Sequence, residues 1–235
     1  MTEARTAMVL AAGVGERMRP LTLRMPKPLV PLAGRPLAAY QVGLLARAGV
    51  ARVVVACAAG QEETFETELS GLGAEIVAVG EPEPLGRGGG IRFAASFRRE
   101  VGPVYALNGD ELLDVDLRGL LDRHRSTGAA ATIAVAQPKS QFGVVDLGAD
   151  DAVTGFREAG KVPFWVNCGV YVLGDEALRR FPERGDHETS TFPELAVEGR
   201  LYAFRHEGVW LTVNTPKELR AAGEYLAAHP EWLAA

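Results

Sequence analysis

The sequence predicts an α/β chain built on a mixed, mainly parallel β-sheet flanked by helices, and three observations lead there. Short apolar runs of β character alternate with amphipathic helical stretches as far as residue 136, the order expected of strands joined by helical crossovers. Beyond that point strands follow one another more closely, so the second half reads as mixed. A chain of 235 residues, 47% of them hydrophobic, also has apolar material enough for a large core.

In order, strands are predicted at 7–12, 52–58, 75–79, 104–107 and 132–136, each a short apolar run of the kind buried on both faces of a parallel sheet. Helices are predicted at 36–48, 62–69, 90–99 and 117–126, where the spacing of apolar residues turns helical. The second half adds strands at 144–147, 166–173 and 201–205 and a helix at 175–181. A last helix is predicted over 216–228: Thr215 is its N-cap, Pro216 occupies the first helical position and Glu218 lies three residues after the cap. With no internal repeat, charge block or low-complexity linker, the chain reads as one domain over 1–235.

Composition excludes several classes of function. Lys plus Arg number 25 against 30 Asp plus Glu, and a net charge of −5 gives no general attraction for nucleic acid or an anionic membrane. Any affinity for phosphate must be local. No apolar run reaches about 18 residues, and the first residues lack the basic and hydrophobic parts of a signal peptide, so a cytoplasmic protein is expected. Cys57 and Cys168 are lone residues in apolar strands, with no second cysteine at metal or redox spacing, and read as reduced core residues. The composition is compatible with a homo-oligomer.

The richest segment is LAAGVGERMRPLTLRMPKPLVPLAGRP, residues 10–36, which follows the first strand. Gly13 and Gly15 let backbone N–H groups approach an anion without an intervening Cβ. Arg17 offers a planar charged fork to phosphate oxygens, and Lys27 a compact point charge. Pro26 and Pro28 bracket that lysine and stiffen its segment. The spacing fits neither a dinucleotide fingerprint nor a Walker loop.

As a whole the segment resembles the signature of the sugar-1-phosphate nucleotidylyltransferases, the NDP-sugar pyrophosphorylases, and in pattern the mannose- or heptose-1-phosphate guanylyltransferases most. The resemblance implies a Rossmann-like fold, that of the nucleotide-diphospho-sugar transferases. It divides the domain into a nucleotide-binding part, about 1–115, and a sugar-phosphate-binding part, about 116–235. The family often carries a C-terminal β-helix of hexapeptide repeats; this chain stops short of one, so no such module is expected. Leu10, Ala11, Ala12, Gly13, Gly15, Arg17 and Lys27 are implied to bind the triphosphate, with Lys27 on the α-phosphate and Arg17 on the β- and γ-phosphates.

Three later segments extend the resemblance. GEPEPLGRGGGI, residues 80–91, is similar to the family's nucleobase loop: Glu81 would accept from base N–H groups and Gly86 and Gly88 would let the base lie close. Guanine presents two adjacent donors, which ranks GTP first. Arg87 stands where the family usually has threonine. In NGDELLDVDL, residues 108–117, Asp110 is implied to hold Mg²⁺, and Asn108 to contact the sugar phosphate. Glu111, Asp114 and Asp116 read as solvated or helix-capping acids, with Asp116 the cap before Leu117.

The third segment, FREAGKVPFWVNCGVYVL at 156–173, resembles the sugar-binding pattern, with Glu158 and Asn167 on sugar hydroxyls and Gly143 upstream offering its backbone N–H. It departs from the family at Ala159, where lysine is usual, leaving Lys161 as the nearest cation. Near the C-terminus Thr212 replaces a metal-binding aspartate, and Asn214 offers Mg²⁺ an amide oxygen without charge; capping of a turn is the alternative for both.

The expected reaction is attack of a sugar-1-phosphate oxygen on the α-phosphorus of a nucleoside triphosphate, with pyrophosphate leaving and Arg17, Lys27 and Mg²⁺-bearing Asp110 as the catalytic groups. Two other readings share these motifs. One is a nucleotide or sugar-phosphate sensor that has lost the chemistry; the other is a cytidylyltransferase acting on a phosphorylated alcohol.

Overall fold

The computed structural model describes residues 4–140, 142–158 and 160–232. Along the chain lie β1 (Thr6–Leu10), β2 (Pro31–Leu32), β3 (Arg35–Pro36), α1 (Leu37–Arg47), β4 (Arg52–Ala58), α2 (Glu62–Glu68), β5 (Glu75–Glu81) and α3 (Gly86–Ala95). They are followed by β6 (Val104–Asn108), β7 (Glu111–Leu113), α4 (Leu117–Thr127), β8 (Ala131–Ala136), β9 (Val144–Leu147), β10 (Val153–Arg157) and β11 (Val166–Leu173). The last elements are α5 (Asp175–Arg180), α6 (Thr191–Val197), β12 (Leu201–Arg205), β13 (Trp210–Thr212) and α7 (Pro216–Ala228). Among the described residues there is no β-helix, and no helix is long and apolar enough to cross a membrane.

Seven strands form one sheet in the order β12-β8-β11-β6-β1-β4-β5. Every neighbouring pair is parallel except those of β11, which runs antiparallel to both β6 and β8. Alternation along each strand sorts the core into two layers. Val9, Val53, Val55 and Leu107 pack with Val42 of α1, Phe65 of α2 and Leu120 of α4. Met8, Val54, Ala56 and Ala106 pack on the opposite side with Ile91 of α3, Leu178 of α5 and Phe192 of α6. Cys57 and Cys168 are buried free thiols, and burial pushes both up to about 12, which keeps them protonated and unreactive.

The predicted strands 52–58, 166–173 and 201–205 and the helix 216–228 coincide with β4, β11, β12 and α7. The helix predicted at 90–99 is displaced: α3 starts at Gly86 and ends at Ala95. Its glycines, expected in a nucleobase loop, occupy the first helical turn and lie against the segment at 182–187. A Cβ on Gly88 would lie 2.8 Å from the His187 amide nitrogen. The short ladders β2–β3 and β7–β13, strand β10 and helix α6 were beyond the reach of periodicity.

Strand order locates the functional rim. The chain moves outward from β1 to β4 and β5, then returns to place β6 on the other side of β1. The crevice beyond the carboxyl ends of β1 and β6 is therefore a switch point, where open α/β sheets bind ligands. Asp116 caps α4 as expected, its Oδ1 accepting from the Gly119 N–H at 3.0 Å.

Helix α7 closes the rim from the side, with Ala222 and Leu226 packed in one cluster with Leu112 and Val213. Its start is held reciprocally: Thr215 Oγ1 accepts from Glu218 N–H at 3.2 Å, and Glu218 Oε2 accepts from Asn214 N–H at 2.7 Å. Replacing this cap, Thr215→Ala, should lower unfolding free energy by about 1 kcal/mol, read as a lower urea midpoint with an unchanged slope.

Candidate active site

The crevice at the switch point is a cavity of about 710 Å³ lined by Leu10, Ala11 and Gly13 to Arg17 from the first loop, Lys27 and Pro28 from the second, Asn108 to Glu111 from the third, and by Arg87 and Asn214. Ala12 lies just outside this lining. Gly15 adopts φ 65°, and a Cβ there would meet Thr22 Cγ2 at 2.9 Å and Lys27 Cβ at 3.0 Å. Only glycine allows the loop to fold down onto the lysine stem. Thr22 Oγ1 donates to the Gly15 carbonyl at 2.8 Å and fixes that turn.

Lys27 opens a 3₁₀ turn, Lys27–Leu29, entered from Pro26. Its side chain is only 8% exposed, and Nζ donates to Asp110 Oδ2 at 2.6 Å and to Asn214 Oδ1 at 2.8 Å. Arg17 is exposed, and its Nη2 donates to the same Asn214 oxygen at 3.1 Å. The three groups expected to act together thus meet at one wall of one cavity, and Asn214 joins them. Thr212 faces elsewhere, its hydroxyl donating to Glu218 Oε1 at 3.3 Å.

Asp110 sits on a turn held from behind. The Gly109 N–H donates to the Leu10 carbonyl at 2.9 Å, tying the third loop to the first. Gln41, 1% exposed on α1, donates through Nε2 to the carbonyls of Asn108 at 2.6 Å and Glu111 at 2.8 Å, which bracket the aspartate. This positioning residue was missed; its one sequence signal is an amide on the apolar face of α1.

Glu111 corrects the expectation of a solvated or capping acid. Strand β7 pairs with β13 and turns this side chain into the cavity, where Trp210 Nε1 donates to its Oε2 at 3.0 Å. Burial first, and the neighbouring Asp110 charge second, push its carboxyl up to about 8. Asp114 is likewise not a free acid, accepting the Val209 N–H at 2.7 Å.

The remaining sequence-predicted residues are spread more widely. Glu81 is 5% exposed and outside the cavity lining; its Oε2 accepts from the Leu85 N–H at 2.9 Å, and burial raises its carboxyl. Gly86 and Gly88 also lie outside that lining, packed against Gly185 and His187. Arg87 does line the cavity, but it is ion-paired to Asp186 and, at 2.8 Å, to Glu188. Asn167 Nδ2 donates to Tyr171 Oη at 2.8 Å and to Glu188 Oε1 at 3.0 Å, so Glu188 joins the two halves of the rim. Gly143 lies under the Phe156 ring, Glu158 is exposed, and Lys161 lines a separate cavity. Ala159 lies outside the described residues.

Chemically the site is a cationic pocket over hard oxygen donors. One ammonium is held by a carboxylate oxygen and an amide oxygen, so these two atoms already seat positive charge. A divalent ion fits the same donors if phosphate oxygens and water complete its shell, which is the usual way Mg²⁺ is bound. Among the described residues no group of three or more His, Cys, Asp or Glu could hold a metal unaided.

Over residues 6–229 the chain matches the family described as Nucleotidyl transferase. It is 35% identical over 242 residues to Mannose-1-phosphate guanyltransferase 2 of Candida glabrata, covering 96% of this chain and 67% of that protein. It is 36% identical over 225 residues to Mannose-1-phosphate guanylyltransferase of Mycobacterium tuberculosis, covering 90% and 62%. The chain spans between 60% and 67% of the length of the curated relatives it matches. Among solved structures it is similar to HddC from Yersinia pseudotuberculosis, with a TM-score of 0.74, 20% identity, and coverage of 94% of this chain and 99% of that one.

The raised Glu111 carboxyl has a signed consequence for stability. Its folded value of about 8 lies above the ordinary 4.5, so its contribution is complete below 4.5 and is lost as pH rises through about 8. Glu111→Gln should therefore melt progressively higher than the parent as pH increases across that window. Thermal melts of both proteins across it, in metal-free buffer, check this.

Proposed function

This chain belongs to the nucleotidyl transferase family, and on that premise we propose that it joins a nucleoside triphosphate, GTP before the others, to a sugar-1-phosphate with release of pyrophosphate. The observation that carries this reading is the Lys27 ammonium held between Asp110 and Asn214, with Arg17 alongside, at one wall of a cavity that the Gly13 and Gly15 loop also lines. Relatives named as mannose-1-phosphate guanylyltransferases support GTP and a hexose phosphate.

In the proposed reaction a phosphate oxygen of the sugar-1-phosphate forms a bond to the α-phosphorus in line with the departing group. The bond from that phosphorus to the bridging oxygen breaks, and pyrophosphate leaves with the electron pair. The nucleophile is already an anion near neutral pH, so no general base is required. The obstacle is negative charge, and catalysis consists chiefly of neutralising and positioning it.

Lys27 exchanges its carboxylate partner for the α-phosphate, while Arg17 and the backbone N–H groups of residues 10–15 hold the β- and γ-phosphates. Members of this family generally work with a divalent metal; Asp110 and Asn214 are its proposed holders here. A divalent ion held there would supply charge neutralisation. Glu81, whose Oε2 holds the Leu85 N–H, and the Gly86 and Gly88 backbone that follows are assigned to the nucleobase. Asn108, Gly143, Glu158, Lys161 and Asn167 serve the sugar phosphate. We assign the work to one cytoplasmic domain, nucleotide half about 1–115 and sugar half about 116–235.

Pyrophosphate release from a matrix of triphosphates and sugar-1-phosphates, with the product read by mass spectrometry, tests the reading; release from GTP with mannose-1-phosphate is expected, and no release from any pair overturns it. Lys27→Ala should lower turnover on the order of 100- to 1,000-fold, the cost of losing a preorganised donor to developing charge. Removing divalent metal with a chelator should abolish turnover in the parent, restored by added Mg²⁺, and Asp110→Asn should need far more Mg²⁺ for the same rate.

A further inference from the structure

Among the described residues that line the reaction cavity, Arg87 is the one drawn from the nucleobase loop, 80–91. Its backbone is braced: the Gly88 N–H donates to the Gly185 carbonyl at 2.9 Å, and the Gly185 N–H to the Leu85 carbonyl at 2.8 Å. Its guanidinium is then held by two carboxylates. Nε donates to Asp186 Oδ2 at 2.9 Å, Nη2 to the same oxygen, and Nη1 to Glu188 Oε1 at 2.8 Å. That glutamate oxygen is anchored in turn, by Asn167 Nδ2 at 3.0 Å and by the hydroxyl of the buried Tyr171 at 3.3 Å.

A guanidinium has five N–H donors, and these bonds occupy one on each nitrogen. One N–H on Nη1 and one on Nη2 therefore have no partner among the described residues, on a side chain that is 45% exposed. Charge decides what they suit. Arg87, Asp186 and Glu188 together carry a net negative charge, and His187 between the two acids is fully buried, its imidazole lowered by burial to about 4 and so neutral. Arg92 and Arg184 nearby are paired with Glu183 and Glu83. A cluster of that sign offers a polyphosphate no attraction, and Arg17 and Lys27 supply it elsewhere in the lining. What remains is two directed donors on neighbouring nitrogens, suited to neutral acceptors. Guanine presents two such acceptors side by side, O6 and N7, and arginine is their commonest specific partner; adenine sets an amino donor beside its N7.

We propose that Arg87 reads the O6 and N7 edge of guanine, with Asp186 and Glu188 as the residues that position it. The assignment rests on the reaction proposed above and names the side chain that selects GTP in it. It also gives a use to the arginine that stands here in place of the family's threonine.

Equilibrium titration of the full chain with GTP, ITP, 7-deaza-GTP, ATP and inorganic tripolyphosphate tests this without requiring turnover. The parent should bind GTP about five-fold more tightly than 7-deaza-GTP, which lacks the N7 acceptor, and about ten-fold more tightly than ATP. That comparison needs no variant. Arg87→Met should remove the preference over 7-deaza-GTP and narrow the preference over ATP, and Asp186→Asn should narrow the first. ITP, which keeps O6 and N7, should weaken with GTP in both variants, while tripolyphosphate affinity stays parental. A parent that binds 7-deaza-GTP as tightly as GTP, or that binds no GTP, overturns the proposal. So does a loss in Arg87→Met shared equally by GTP, 7-deaza-GTP and tripolyphosphate, the mark of a phosphate contact. The expected base preference without pyrophosphate release on adding sugar-1-phosphate supports Arg87 and overturns the reaction; release that treats GTP and 7-deaza-GTP alike overturns Arg87 and leaves the reaction standing.

Discussion

One buried ammonium ties this molecule's rim together. Lys27 Nζ touches groups carried 83 and 187 residues further along the chain, Asp110 and Asn214. A paired charge in such surroundings loses water on both partners, and replacing buried ion pairs with apolar residues is often neutral or stabilising. Stability alone therefore gives no reason to keep it. What the pair does provide is a cation held ready, beside oxygens ready for another cation, at the one crevice the strand order opens. The Gly15 turn, the Gln41 clamp and the α7 cap each act by fixing one of its members.

Much of the fold was legible because strands buried on both faces are apolar throughout, and β4 and β11 are such strands. The α7 start was legible for a different reason: Thr215, Pro216 and Glu218 each do a local job that needs no knowledge of the rest. The α3 start was not, since its glycines answer to the 182–187 segment, which no local reading of 86–90 could supply. The ladder of β7 with β13 spans three residues on each side and joins segments about a hundred residues apart, so no periodicity announces it.

The same distinction governs the site. Arg17, Lys27 and Asp110 stand in loops that follow strands or are stiffened by proline, and their meeting in one cavity was legible through the family resemblance of those segments. Glu111 could not, because its inward direction depends on β13, and its neutrality near physiological pH depends on what surrounds it. Arg87 was visible as an unusual residue, but its partners Asp186 and Glu188 come from a segment with no motif of its own. Gln41 illustrates the general limit: a polar side chain on a core-facing helix position announces that something needs hydrogen bonds, not what.

The reversed direction of β11 has a wider consequence. Because it runs against β6 and β8, its first residues lie level with the last residues of both, as Asn167 opposite Val135 shows. The excursion from 137 to 165, hairpin included, leaves and re-enters the sheet between adjacent strands on the same edge. Closing a longer or shorter loop across so small a gap costs little extra entropy. The 137–165 excursion can therefore be lengthened, trimmed or exchanged as a cassette while the Lys27 rim and the threading of the sheet stay as they are, which lets one end of the scaffold vary without disturbing the other.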